Sequence, residues 1–253
     1  MKAPFCYRVV NVEPLSLFVQ ENWLNILALV WFLMCFKGYN LYSKKKAKTC
    51  HCLASVMHSY RLDWMTQVLH RDVRIADATV ISNLERGVSF FASSTILILA
   101  GLMTVLGSTE KAIDIVGDIP FATHATKAEW ELKLLVLIGM FIYAFFKFTW
   151  SLRQYGFTSV MIGGAPMPSE GVQEKELMSH ANRIAIMSSL AANNFNLGLR
   201  TYYFSMAVLG WFINPWLFMA LSGGVLFVLY RREFKSATLL QLVSSQADPG
   251  LKD

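Results

Sequence analysis

Charge is scarce in this chain, and where it occurs it avoids the long apolar runs. Only 16% of the 253 residues are charged, against 55% hydrophobic, and the mean hydropathy is +0.41. A water-soluble domain of this length carries more charge than that. No acidic residue lies deep within an apolar run, which argues against a proton relay or cation path, since these normally need one. Cysteine is also rare: Cys6, Cys35, Cys50 and Cys52 are too scattered for a disulfide framework. Cys50-His51-Cys52, with His58 beyond, misses the usual zinc spacing of roughly two to four residues between cysteines. No metal and no cofactor is therefore expected. The chain has no GxGxxG, P-loop, nucleophile elbow or HExxH. Its first residues, Met1–Gln20, contain Glu13 and Pro14 and lack the apolar core of a cleavable signal peptide.

What is abundant is long apolar sequence, over Trp23–Phe36, Val88–Gly107, Leu132–Trp150 and Tyr202–Tyr230. About 20 apolar residues in a helix cross a hydrocarbon slab ~30 Å thick. Lipid offers no partner to a free N–H or C=O, so such segments must be helical. The expected fold is all-α: a polytopic membrane protein of about four transmembrane helices, one membrane domain over residues 1–253. Within Tyr202–Tyr230 the pair Asn214-Pro215 interrupts the run. Halves of roughly 13–15 residues are short for crossing alone, which favours one kinked helix over a re-entrant pair.

The charges orient these spans. Residues 37–86 hold nine Lys/Arg against four acids, residues 108–131 two against five, and residues 153–200 four against three. The positive-inside rule places the first and third of these loops in the cytoplasm and both termini outside. Arg231, Arg232 and Lys235 after the last run conflict with that assignment. The net charge of +6 sits beside membrane segments, where anionic lipid accounts for it, and nucleic acid is not an expected partner.

Two cytoplasmic segments read as long amphipathic helices. From Ala54 to Arg86 there is no Pro or Gly, and apolar residues recur at helical spacing, so one helix is expected from about Ser55 to Leu106. A second covers Glu170–Arg200, with Ser169 as its N-cap. Their stripes (Tyr60, Trp64, Leu69 and Ile75; Leu177, Ile184, Met187 and Leu190) need cover, which points to a homo-oligomer or a larger membrane complex. Short matches also recur at nearly constant offset: Arg74-Ile75-Ala76 with Arg183-Ile184-Ala185, and Asn83-Leu84 with Asn196-Leu197. They suggest tandem parallel half-repeats, 23–107 and 132–230.

The run Arg61-Leu62-Asp63-Trp64-Met65, then Arg71-Asp72-Val73-Arg74-Ile75-Ala76-Asp77, Asn83-Leu84 with Arg86, and Ser89-Phe90-Phe91-Ala92-Ser93-Ser94-Thr95 resembles the signature of domain-of-unknown-function family 599. So does Asn194-Phe195-Asn196-Leu197-Gly198-Leu199-Arg200-Thr201-Tyr202-Tyr203-Phe204. The resemblance covers about Trp23 to Phe234. It implies a multi-pass protein of the bacterial inner membrane and carries no catalytic residues.

The candidate site gathers polar groups at the inner mouth: Arg74, Asp77, Asn83 and Arg86 on one helix, Arg183, Asn194, Asn196 and Arg200 on the other. Arg86 and Arg200 hold matched places below aromatic pairs, so a chamber for an anion or lipid headgroup between two guanidiniums is the functional reading. The structural reading makes them interfacial anchors and helix bridges. Ser89, Ser93, Ser94 and Thr95 favour close helix packing over a pore. Because Asp72, Asp77, His70 and His180 form no visible acid–base constellation, an enzyme is not expected. The favoured function is a non-catalytic scaffold, assembly or accessory subunit acting through the cytoplasmic helices, with membrane lipids as partners. The alternative is a conduit or carrier for a small anion or lipid.

Overall fold

The computed structural model describes residues 13–46, 52–117, 126–168 and 171–247. Among these the chain is all-helical: α1 (Glu13–Lys46), α2 (Leu53–Leu69), α3 (Ile75–Gly107), α4 (Thr109–Gly117), α5 (Lys127–Gly163), α6 (Glu174–Ile213), α7 (Pro215–Phe234) and α8 (Ala237–Ala247). Among the described residues three stretches are long and apolar enough to cross a membrane: Asn22–Lys46 of α1, all of α3 and all of α5.

α6 is the spine. Its 40 residues rise ~60 Å, and it contributes to all three apolar clusters of the core. At one end Trp211, Phe212 and Phe204 pack with Trp130 of α5, Phe32 of α1 and Phe218 of α7. In the middle Ala191 meets Phe148 and Ala144 of α5 and Val88 of α3. At the other end Leu177, Ala181 and Ile184 meet Met65, Val68 and Leu69 of α2. α5 runs antiparallel to α6 at very close range. A Cβ on Gly198 would lie 2.4 Å from the Phe148 ring, so only glycine admits that ring.

The Tyr202–Tyr230 run is not one kinked helix. α6 stops at Ile213, and Asn214 takes an extended conformation at φ −156°. Its side chain accepts a hydrogen bond from the Trp216 N–H, and Pro215 opens α7. A residue before proline is pushed out of the helical region, while proline at the first helical position costs nothing because its missing N–H would be unpaired anyway. The chain turns back as a hairpin whose arms pair Trp211 with Phe218, Tyr203 with Arg232 and Arg200 with Glu233. Gly210 lets the arms close, since a Cβ there would lie 2.7 Å from Leu221. The expected re-entrant alternative is nearer, but α7 has 20 residues, ~30 Å of helix.

The hairpin carries Arg231, Arg232 and Lys235 to the end of the bundle that holds Lys44, Lys45 and Lys46. There the Lys46 ammonium sits over the Tyr230 and Phe234 rings, at 5.6 and 5.0 Å. This is the basic end.

The expected continuous helix from Ser55 to Leu106 is broken between α2 and α3. Neither proline nor glycine causes the break. α2 turns back to pack on α6, α3 packs on α5, and the elbow His70–Arg74 reconciles the two. Packing covers part of the expected stripes: Leu69, Leu177 and Ile184 are buried, Tyr60, Trp64 and Met187 half-buried, while Leu190 and Ile75 stay exposed. The second amphipathic segment is simply the first half of α6, with Gln173 at the N-cap position but no side-chain capping bond; Ser169 lies outside the described residues. Across the proposed half-repeats, 23–107 and 132–230, α5 packs on α6 and α1 on α7. Cys52 begins α2, its N–H donating to the Ser55 hydroxyl, and His58 pairs with Ser189. Cys50 and His51 lie outside the described residues.

Candidate functional site

Arg74 and Asp77 are two of the polar residues expected together on one helix. The structure gives each a separate task at the elbow. Asp77, 2% exposed, accepts from the Trp64 indole at 2.7 Å and from Arg71 Nη1 at 2.9 and 3.1 Å. It joins α2 to α3 with a charge-assisted pair, stronger than a neutral hydrogen bond. Arg74 turns to the C-terminus of α5 and donates to the carbonyls of Ile162, Ala165 and Pro166 at 3.1, 2.9 and 2.7 Å. The last carbonyls of a helix lack partners and carry the negative end of its dipole, so a guanidinium fits there.

Arg200 is the hub of the basic end. It donates to Asn40 and Ser43 of α1 and to Glu233 of α7, at 3.4, 3.2 and 3.1 Å, and its guanidinium lies 5.0 Å from the Tyr39 ring centre. One side chain thus ties three helices. Asn194 bridges to α5, donating to Gln154 at 2.8 Å and accepting from Lys147 at 3.4 Å. Asn83, Arg86 and Arg183 are exposed, and their side chains make no hydrogen bond to any described residue. Asn196 is exposed as well, but it lines the cavity beside Arg200. Arg86 does not reach that cavity, so the matched pair Arg86/Arg200 is not brought together.

The residues that do meet Arg200 are Arg61 of α2 and Arg232 of α7. With Asn193, Asn196, Tyr203 and Glu233 they line a cavity of about 120 Å³. Arg232 donates to the Tyr203 hydroxyl at 3.0 Å. Arg61 is half-buried and has no hydrogen-bond or ion-pair partner among the described residues; burial lowers its pKa from the ordinary arginine value. The positions were visible beforehand, Arg61 within the signature run and Arg232 as a charge on the wrong side. Their convergence needed the hairpin.

A second cation also escaped sequence reading. Lys133, in α5, is 2% exposed, donates to the Trp211 carbonyl at 3.1 Å and lies over the Trp211 ring. It caps the C-terminal turn of α6 as Arg74 caps that of α5. Both lysine and arginine are thus used here as helix-end caps at opposite ends of the bundle.

No curated protein and no solved structure matches the chain. Residues 27–238 match the family model described as Protein of unknown function, DUF599. The match takes in α2 to α7 entire, with most of α1, the elbow and the Arg200 hub. The chain belongs to that family.

Proposed function

We propose that this is a non-catalytic multi-pass protein of the bacterial inner membrane, serving as a scaffold, assembly or accessory subunit through its cytoplasmic helices. The observation that carries this reading is the uncovered face of α3. Its 33 residues extend ~50 Å, whereas hydrocarbon and headgroups together span ~40–45 Å. Apolar side chains stay exposed down to the elbow at Leu84, Val80, Ile75 and Val73. With Gly107 at the outer edge of the hydrocarbon, the last two lie below the headgroups, where only protein can cover them. The acid–base candidates support a non-catalytic role: Asp77 is engaged by Trp64 and Arg71, and His70 pairs with the Thr66 carbonyl.

The hairpin supports five crossings, by α1, α3, α5, the outer half of α6, and α7. The basic end is then cytoplasmic throughout, and the conflict posed by Arg231, Arg232 and Lys235 disappears. Crosslinking in native membranes tests the scaffold reading: with Cys6, Cys35, Cys50 and Cys52 replaced, Leu84→Cys should form crosslinked species. A single 28.6 kDa chain in both mild detergent and native membranes would overturn it. The cavity beside Arg200 favours a second reading, in which the basic end holds an anion or a lipid.

A further inference from the structure

We infer that the cavity lined by Arg61, Arg200 and Arg232 is the headgroup half of an anionic phospholipid site, whose acyl half is the groove along α7. The inference deepens the second reading above and concerns binding alone, so it stands even if nothing is carried across the membrane.

Charge gives the first argument. Three arginines and one acidic residue line this cavity, and that acid, Glu233, is already paired with Arg200. A surplus of two positive charges remains. Arg232 is held only by a neutral hydroxyl, and Arg61 makes no hydrogen bond or ion pair among the described residues, with the neutral Tyr155 phenol as its electrostatic neighbour. A half-buried guanidinium offers five N–H donors in a planar fork suited to phosphate oxygens. Leaving it unpaired in a partly dry site is costly, and a phosphate supplies the missing acceptors. The volume of about 120 Å³ suits an oxyanion with a few waters, each of which occupies ~30 Å³ in the liquid.

The groove gives the second argument and chooses between a soluble anion and a lipid. A cleft of about 360 Å³ lined by Leu221, Gly224, Val225 and Val228 shares Tyr203, Leu229 and Arg232 with the cavity. From Leu221 to Arg232 it follows α7 for ~16 Å, half of a hydrocarbon core ~30 Å thick. That is the depth of one leaflet. Nothing lies within 4 Å of where a Cβ on Gly224 would stand, so the groove has room for a chain. A free phosphate would use the cavity and leave the groove idle.

The full chain in lipid-free detergent, titrated with phosphatidylglycerol, phosphatidylcholine or inorganic phosphate, tests this by native mass spectrometry and thermal unfolding. Wild type should retain phosphatidylglycerol at least tenfold better than phosphatidylcholine and gain thermal stability from it. Arg61→Gln and Arg232→Gln should each bring the two lipids towards parity. Arg61→Gln should not lower the unfolding temperature without lipid, because no hydrogen bond or ion pair among the described residues is lost. Gly224→Leu should weaken lipid retention while leaving any response to inorganic phosphate. Equal retention of both lipids by wild type, or an unchanged preference in both arginine variants, would overturn the site. Phosphate binding with lipid retention untouched by Gly224→Leu would overturn the acyl half and leave a soluble-anion site.

Discussion

Arg200 and Glu233 sit 33 positions apart in sequence and 3.1 Å apart in space, their side chains only 13% and 16% exposed. The pair lies at the open end of the α6–α7 hairpin and, through Asn40 and Ser43, anchors α1. Ion pairs on an open surface contribute little, but a shielded one with further hydrogen bonds is expensive to break, because the remaining charge stays buried. Arg200→Ala should destabilise the protein by about 3 kcal/mol. Glu233→Gln should cost less, since Arg200 keeps Asn40 and Ser43. Thermal unfolding in one detergent checks the order, and equal losses would contradict it.

Gly198→Ala should be damaging although it adds one methyl. That methyl meets the Phe148 ring, which is fully buried between α3, α5 and α6. Overpacking of this kind costs about 1–3 kcal/mol. Gly87→Ala, on the open face of α3 with nothing within 4 Å of the added Cβ, is the control and should be neutral or slightly stabilising. Phe148→Leu combined with Gly198→Ala should recover part of the loss.

Asp77→Ala should loosen the elbow rather than the whole bundle. It strands the Trp64 indole and the Arg71 guanidinium, which both depend on this buried carboxylate. Limited proteolysis should then cut between His70 and Arg74 several-fold faster, with helical content nearly unchanged. Arg71→Ala should produce a milder form of the same change, because Trp64 remains bonded. Indifference of the cleavage rate to both substitutions would mean that packing of α2 on α6 alone holds the elbow.

Single cysteines at Lys44, Lys235 and Glu110, in a background without the native ones, test the crossings. All three positions are exposed. Five crossings predict that an impermeant thiol reagent labels Glu110→Cys from outside intact cells and reaches Lys44→Cys and Lys235→Cys only after lysis. Outside labelling of Lys235→Cys would restore the four-span arrangement, with the C-terminus on the outer side.

Much of the membrane architecture was legible because apolar length and charge asymmetry act locally, residue by residue. Val88–Gly107 and Leu132–Trp150 needed only their own composition to be read as spans, and α3 and α5 contain them. The interruption at Asn214-Pro215 was legible too, but not its angle: a kink and a reversal have the same sequence, and what separates them is whether Gly210 and Leu221 pack together. The site was read less well. Arg74, Asp77, Asn194 and Arg200 are all engaged, yet with partners from other helices, and Arg86, matched to Arg200 by position, faces outward.

Sequence alone determined that the chain is helical and apolar enough for a membrane, because lipid forbids unpaired backbone and a run of ~20 apolar residues has no cheaper place. It also determined where the basic groups lie along the chain. Only the tertiary structure decided which of them meet. α2 must cover its apolar face on α6, and α7 must fold back on α6 and α1, so Arg61 and Arg232 arrive beside Arg200 from 139 and 32 positions away. Packing of distant helices is set by the burial of whole faces, which no local pattern of residues encodes.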